Sequence, residues 1–388
     1  MDSHVNYNHS ANASIPKVRV GLIGCGQVAQ VVHIPTLGFL SDYFRITYLC
    51  DVSTGSLEHC QAKIPGPGPN IPRITKDATE LCSSDDVDVV FVLSSDEYHA
   101  EQAILALQHD KCVFVEKPVA LNLRDIDRIQ QAEKSSKGKL MVGYMRRYAS
   151  AFESAIKEIG GIDKILYARV RDIIGSNSTF VDQSGTFPKT FNDLEERDVS
   201  DRKDRATELV HHALEVECNV PASPSAITMW RVLCGLGTHD ISAMREALGM
   251  PLGLVGVHTS FPFWNVLFQY SGFAVSYESG IHSVPQFDAH IEVYGQDKIV
   301  RIQYDTPYVK GLPITVRVSE NVNGSLKETV IRQTYEDAYT QELKHVYEWI
   351  RLGKPVKTTI EDARLDTEIF QMIIKADSRR VKAGSGIP

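Results

Sequence analysis

KVRVGLIGCGQVAQVVHIPTLGFLSDYFRITYLCD, residues 17–51, decides how this chain folds. Its β-branched residues, Val18 and Val20, run into Leu22 and Ile23, the pattern of a strand buried in a sheet. The run breaks at Gly24-Cys25-Gly26-Gln27-Val28-Ala29, a G-x-G-x-x-A turn. Val28 to Leu40 then reads as a helix interrupted only by Pro35, and Arg45 to Leu49 as a second apolar strand that leads to Asp51.

Each part has a physical task. Gly24 permits the tight turn out of the strand, and Gly26 lacks a Cβ, so a pyrophosphate can approach the backbone. Ala29 lets the helix pack close to the strand, and the helix start offers unpaired N–H groups and partial positive charge to phosphates. Asp51 follows about 20 residues later, where a carboxylate accepts hydrogen bonds from an adenosine ribose. Together these predict a dinucleotide site. Asp51 would repel the 2′-phosphate of NADP, and no arginine follows it in Val52-Ser53-Thr54, so NAD is the expected cofactor and NADP the alternative.

The 388 residues suffice for two domains with their own cores. Hydrophobic content of 43% and charged content of 23% are ordinary for a globular protein. A net charge of -8 with no basic run argues against nucleic acid or an anionic membrane as partner. No apolar run is long enough for a transmembrane helix. Residues 1–16 are polar and read as a disordered tail. Seven cysteines without a CxxC pair fit a reduced, cytoplasmic protein, with Cys25, Cys50 and Cys112 as core thiols.

Beyond a breaker-rich linker, Ile64 to Pro69, the chain alternates strands and helices. Asp88–Leu93, Cys112–Val115 and Leu140–Val142 read as buried strands, and the helices between them predict βαβ units of a doubly wound parallel sheet. This Rossmann domain is expected over 17–145. From about residue 160 the rhythm becomes that of short alternating strands, Lys164–Ile173 and a series across 253–332, which predicts an α+β domain with a large, mainly antiparallel sheet over 146–355. Two amphipathic helices, Tyr339–Leu352 and Ile360–Val381, close the chain, with 356–388 expected to pack back on the body. Residues 184–226 interrupt the second domain. Their mixed-charge centre, Glu195–Arg205, reads as a solvated insertion that runs into a helix at Thr207–Glu217; the sharper reading is a lid or subunit contact over the site.

Four further marks carry a resemblance. Glu116-Lys117-Pro118 ends a strand, Ser94-Ser95-Asp96-Glu97-Tyr98-His99 follows another, Gly143 to Tyr148 reads GYMRRY, and Gly237-Thr238-His239-Asp240 opens a helix. With these the chain resembles the Gfo/Idh/MocA oxidoreductase family (glucose–fructose oxidoreductase, inositol dehydrogenase and relatives) from about residue 17 to 380, apart from the insertion. The resemblance implies a hydride transfer between a nicotinamide and a small polyhydroxylated alcohol, a sugar or cyclitol, or its ketone. It also implies pairing of open sheets into a homodimer or homotetramer.

Such chemistry needs a group that exchanges a proton near neutral pH and a cation near the developing alkoxide. Lys117 stands at the carboxyl end of a parallel strand, where doubly wound sheets bind ligands, and His239 follows two glycines at a helix start. By resemblance Lys117 contacts the substrate oxygen, His239 exchanges the proton and Glu116 frames the nicotinamide pocket. The bond before Pro118 is a candidate for the cis form. The cofactor set is Gly24, Gly26, Gln27, Val28, Ala29, Asp51, Ser94, Ser95, His99, Glu116 and Lys117; the substrate set is Arg147, Tyr148, Asp172 and His239. His212 is a further candidate there, whereas His33 reads as a packing residue and Asp240 as a charge pointing elsewhere on its helix. His211 and His212 face different sides of a helix, and no metal site is expected.

One departure stands out. Inositol dehydrogenase-like members carry an aspartate four residues before this histidine, and here that position is Gly235. Two alternatives therefore stay open beside the polyol dehydrogenase: an imine or ketone reductase of a biosynthetic pathway, and a non-catalytic dinucleotide-binding regulator of the same fold.

Overall fold

β1 (Val18–Ile23) is buried almost throughout because helices cover both faces of the sheet it centres. The structure, a computed structural model, describes residues 16–66 and 71–384. Apart from Pro16, the expected N-terminal tail lies outside these residues, as does the end of the breaker-rich linker beyond residue 66.

β2 (Phe44–Cys50), β3 (Arg73–Thr75), β4 (Val89–Val92), β5 (Cys112–Glu116) and β6 (Leu140–Gly143) join β1 in one parallel sheet, in the order β3-β2-β1-β4-β5-β6. The order reverses between β1 and β4, so the carboxyl ends of these two strands open a crevice, the place where doubly wound sheets take ligands. Between the strands run a π-helical turn at Ala29–His33 leading into α1 (Ile34–Phe39), then α2 (Thr54–Lys63), α3 (Ala78–Ser83), α4 (His99–Gln108) and α5 (Leu123–Lys134). Ser53, Asp77 and Asn122 cap α2, α3 and α5 by accepting a backbone N–H, each worth about 1 kcal/mol. On one sheet face Phe91 and Phe114 lie 4.6 Å apart, centroid to centroid. Truncating either would cost about 3–5 kcal/mol.

α6 (Met145–Tyr148) and α7 (Ser150–Ile159) lead to the second sheet, with Gly160 closing α7 in the left-handed conformation at φ 76°. β7 (Tyr167–Ile174) alternates buried and half-buried residues, as a strand with one covered face must. α8 (Asn177–Asp182), α9 (Glu196–His211), α10 (Pro224–Val232) and α11 (Thr238–Leu248) follow, with π-helical turns at His212–Glu217 and Leu233–Gly237. β8 (Gly253–Ser260), β9 (Phe263–Gln269), β10 (Ala274–Ile281), β11 (Phe287–Tyr294), β12 (Lys298–Tyr304), β13 (Thr315–Val322) and β14 (Ser325–Ile331) complete the sheet in the order β14-β13-β12-β11-β7-β10-β9-β8. Only β7 and β10 pair in parallel.

The charged stretch of the insertion is itself helical: α9 begins at Glu196, not at Thr207. Glu196 and Asp198 complement its positive end, and Asp201 pairs with Arg205 one turn on, so the mixed charge supports the helix.

α12 (Ala338–Leu352) returns to the first sheet, where Leu343, Val346 and Tyr347 join the core with Val18, Val20 and Phe44. α13 (Ile360–Gly384) gives Ile360 and Ala363 to the core of the opposite face and Ile369, Phe370 and Ile373 to that of the second domain. These closing helices lock the two domains together. No helix among the described residues is long and apolar enough to cross a membrane.

Candidate active site

The glycine turn is built as its sequence demands. Gly24 has φ +100°, and a Cβ there would lie 2.5 Å from the backbone nitrogen of Ser94, so the turn is pressed against the chain leaving β4. At Gly26 a Cβ would meet no protein atom within 4 Å, and Gly26 and Gln27 face solvent. That open, side-chain-free surface at the start of a helix fits a pyrophosphate. Val28 is half-buried, and Ala29 is fully buried under the helix. Asp51 accepts N–H bonds from Cys25 at 2.7 Å and Ser53 at 2.8 Å, so it braces the turn as well as standing at the ribose position. Burial pushes its carboxyl up, and these two N–H groups oppose that rise.

Two loops flank the crevice and are stapled by His99. Its Nδ1 lies 2.7 Å from the carbonyl oxygen of Pro118 and its Nε2 3.0 Å from that of Ser94. Both ring nitrogens are thus engaged with backbone, which makes His99 a positioning residue. Ser94 donates to Gln102 at 2.6 Å, and Ser95 donates to Glu97. The Lys117–Pro118 bond is cis. Glu116 is buried and meets Nε2 of His33 at 2.8 Å, while its other oxygen accepts the Lys117 N–H at 3.2 Å. Burial raises the Glu116 carboxyl, but His33 and the charge of Lys117 outweigh it and hold the group below its ordinary range. His33 sits edge-on to Phe91, Phe114 and Tyr339 and serves as the expected packing residue.

Lys117 and His239 converge from opposite sides of the domain junction. Lys117 Nζ donates to the carbonyl oxygen of Gly235 at 2.7 Å, in the π-helical turn that leads into α11 and His239. Both side chains keep part of their surface accessible, as cleft-lining groups do. Burial lowers the pKa of each. His239 is pushed well below 6.5, because the charges of Lys117 and Arg146 add to the cost of burying its imidazolium. The ring is neutral near pH 7, and its Nδ1 has no hydrogen-bond partner.

Behind them lies a buried ionic cluster. Arg146 pairs with Asp172 of β7 at 3.1 Å and with Asp240 of α11, and its guanidinium lies over the Tyr304 ring, 4.4 Å from the centroid. Burial and the adjacent charge of Asp172 push the Asp240 carboxyl up, against the pull of Arg146. Arg146 stays charged: its two acidic partners outweigh burial and raise it.

The structure therefore brings Lys117, His239, Glu116 and Asp172 into one neighbourhood but takes Arg147 and Tyr148 elsewhere. Arg147 is buried against Glu246 and Asp362 under α11 and α13, and the Tyr148 hydroxyl meets Thr358 Oγ1 at 2.8 Å. Both are structural. His212 lies 3.5 Å from Glu217, outside the cluster. Asp240, expected to point elsewhere, faces inward instead. Arg146 and Tyr304 join this cluster without a signal in the sequence. In α6 one residue of offset turns a side chain by about 100°, and nothing in the pair Arg146-Arg147 tells which faces the cleft.

The insertion reaches back across the first domain. Gln30 and Lys189 exchange two hydrogen bonds, 3.0 and 2.8 Å, and the Phe191 ring lies 5.7 Å from that of His59 on α2. Asp193 accepts from Ser53 Oγ at 2.5 Å and from the Gly55 N–H at 2.8 Å. Further on, Tyr98 donates to Asp201 at 2.7 Å. The charged centre of α9 is solvent-facing, and the segment before it is a strap over the dinucleotide domain. An open cavity of about 720 Å³ lies beside this strap, lined by Ile34, Phe39, Phe44, Lys63, Thr186 and Lys310 among others. It includes none of the catalytic candidates.

Residues 18–144 match the Gfo/Idh/MocA oxidoreductase family, NAD-binding Rossmann fold. The chain is 24% identical to a myo-inositol 2-dehydrogenase of Thermotoga maritima over 353 residues, 90% of this chain and 92% of that protein. Inositol 2-dehydrogenase 3 of Saccharopolyspora erythraea is 35% identical over 156 residues, 39% of this chain and 44% of that protein. The crystal structure of a myo-inositol 2-dehydrogenase from Lactobacillus plantarum superposes with a TM-score of 0.66 at 19% identity, covering 95% of this chain and 98% of that one. A 3-ketoreductase from Actinomadura kijaniata, solved with NADP and TDP-benzene, gives a TM-score of 0.66 at 16% identity, covering 93% and 98%. These solved structures share the fold over both domains.

Proposed function

With a Gfo/Idh/MocA-type NAD-binding Rossmann domain at residues 18–144 as its premise, we propose that this chain is an NAD(P)-dependent dehydrogenase. Its substrate is a small polyhydroxylated alcohol, a sugar or cyclitol, or the corresponding ketone. The observation that carries this reading is the Lys117–Gly235 contact, which holds a half-buried ammonium beside the turn that delivers a neutral His239.

Gly24, Gly26 and the helix start at Ala29 would hold the pyrophosphate, Asp51 the adenosine ribose, and Glu116 with the His99-stapled loops the nicotinamide end. The bound nicotinamide supplies or accepts the hydride. In oxidation His239 takes the hydroxyl proton on an unprotonated ring nitrogen, which its depressed pKa keeps available. An ammonium has three donors, so Lys117 can hold Gly235 and still stabilise the developing alkoxide. Arg146, Asp172 and Asp240 form the buried charged layer behind this pair and set the field around it.

Run as a ketone reduction, the same site needs a proton donor. With glycine at 235 the charges acting on His239 are Lys117 and Arg146, both positive, so the imidazole is a poor acid carrier near neutrality. Lys117, whose ammonium is weakened by burial, is then the better proton donor. All seven cysteines are free, which supports a reducing, cytoplasmic setting.

The test is titration of the purified chain with NADH and NADPH by tryptophan fluorescence, then a screen of polyols, sugars and ketones at 340 nm. Turnover that collapses in both Lys117→Ala and His239→Ala supports the dehydrogenase. Tight nucleotide binding without turnover on any candidate favours the regulator.

A further inference from the structure

We propose that Asp193, carried on the strap, is a second cofactor-selectivity residue that fills the anion position at the start of α2 and excludes the 2′-phosphate of NADP. The inference rests on the dinucleotide reading above and names a residue far from the glycine turn in sequence.

The amino end of a helix attracts anions, and α2 follows directly on the loop where Asp51 stands. In dinucleotide folds that accept NADP, this is the region in which a basic side chain meets the 2′-phosphate. Here it is occupied. Both oxygens of Asp193 are engaged, one by the Ser53 hydroxyl at 2.5 Å and the other by the Gly55 N–H at 2.8 Å. Ser53 is shared, because its own N–H donates to Asp51 at 2.8 Å. Two carboxylates thus stand on one residue, and the charge of Asp193 acts to raise the Asp51 carboxyl. The Gly55 N–H and the Ser53 hydroxyl hold Asp193 itself below the ordinary aspartate range, so it is charged at neutral pH.

The strap does not leave this carboxylate free to swing away. The Gln30–Lys189 pair anchors it to the helix that follows the glycine turn. Phe191 packs so closely on α2 that a Cβ at Gly55 would lie 2.4 Å from its ring. Lys76 acts on both Asp51 and Asp193 and lowers each, so a cation is already in reach once a negative charge is removed.

The experiment measures Kd for NADH and NADPH on the full chain and on Asp193→Asn and Asp193→Ala, at low and high salt. Asp193 is exposed, so neither variant threatens the fold. NADPH is expected to tighten about tenfold in both variants, while NADH moves by less than about twofold. The NADPH gain should shrink with added salt, since it is a like-charge repulsion that is being relieved. An unchanged NADPH affinity in both variants, with NADH still bound, overturns the proposal. So does parallel tightening of both nucleotides, which would show that the strap merely covers the groove. A wild-type chain that binds neither nucleotide overturns the dinucleotide reading itself.

Discussion

The Lys117 ammonium donates to the main-chain carbonyl of Gly235 at 2.7 Å, so the end of β5 is tied to the turn that delivers His239 one helical turn later. The same glycine stands where the resemblance leads one to expect an aspartate. A Cβ at Gly235 would meet no atom within 4 Å, and its backbone is helical, so Gly235→Asp should fold with a Tm within a few degrees of the parent. Its carboxylate would favour the charged imidazole and raise the His239 pKa. A pH profile of kcat/KM should show the acid limb moving upward; an unmoved limb would mean that His239 is not the titrating group.

His239 also predicts a pH dependence of stability. Its folded pKa lies well below 6.5, so above that pH neither the folded nor the unfolded state is protonated there. Below about 6.5 the unfolded chain binds a proton that the folded one refuses, and stability falls as pH drops towards the folded pKa. Urea unfolding at pH 7 and about pH 5 should show a smaller acid loss for His239→Asn than for the parent. Equal losses would refute the depressed pKa.

Adjacent arginines should separate cleanly. Arg146→Met leaves Asp172 and Asp240 facing each other without their cation, at a cost of about 3–5 kcal/mol, and should abolish turnover. Arg147→Met leaves Asp362 with Arg245 and Glu246 with Lys357, so it should cost less, about 1–3 kcal/mol. The kcat of its folded fraction should stay near that of the parent. Urea titration beside initial rates makes the comparison.

The two glycines of the turn should fail differently. Gly24→Ala forces a side chain into φ +100° and against Ser94, and should lower Tm and abolish nucleotide binding together. Gly26→Ala meets open space, so Tm should hold while NADH affinity falls about tenfold, because its Cβ stands where the pyrophosphate approaches. Thermal melts and fluorescence titration distinguish the two.

What the sequence determined by itself was what depends on neighbours along the chain. The run from Val18 to Asp51 specified a strand, a glycine turn, a helix and an acid, and the alternating strands of 253–332 specified a one-sided sheet, because period and turn chemistry act over a few residues. Lys117 and His239 stood out by their place at a strand end and a helix start, and Glu116 by the resemblance. Tertiary structure alone decided which of Arg146 and Arg147 faces the cleft, that Asp240 turns inward to meet Asp172, and that Asp193 is carried back to Ser53 and Gly55. These contacts join residues far apart in the chain. Their cost and gain lie in burial and charge pairing between elements, which no local pattern encodes.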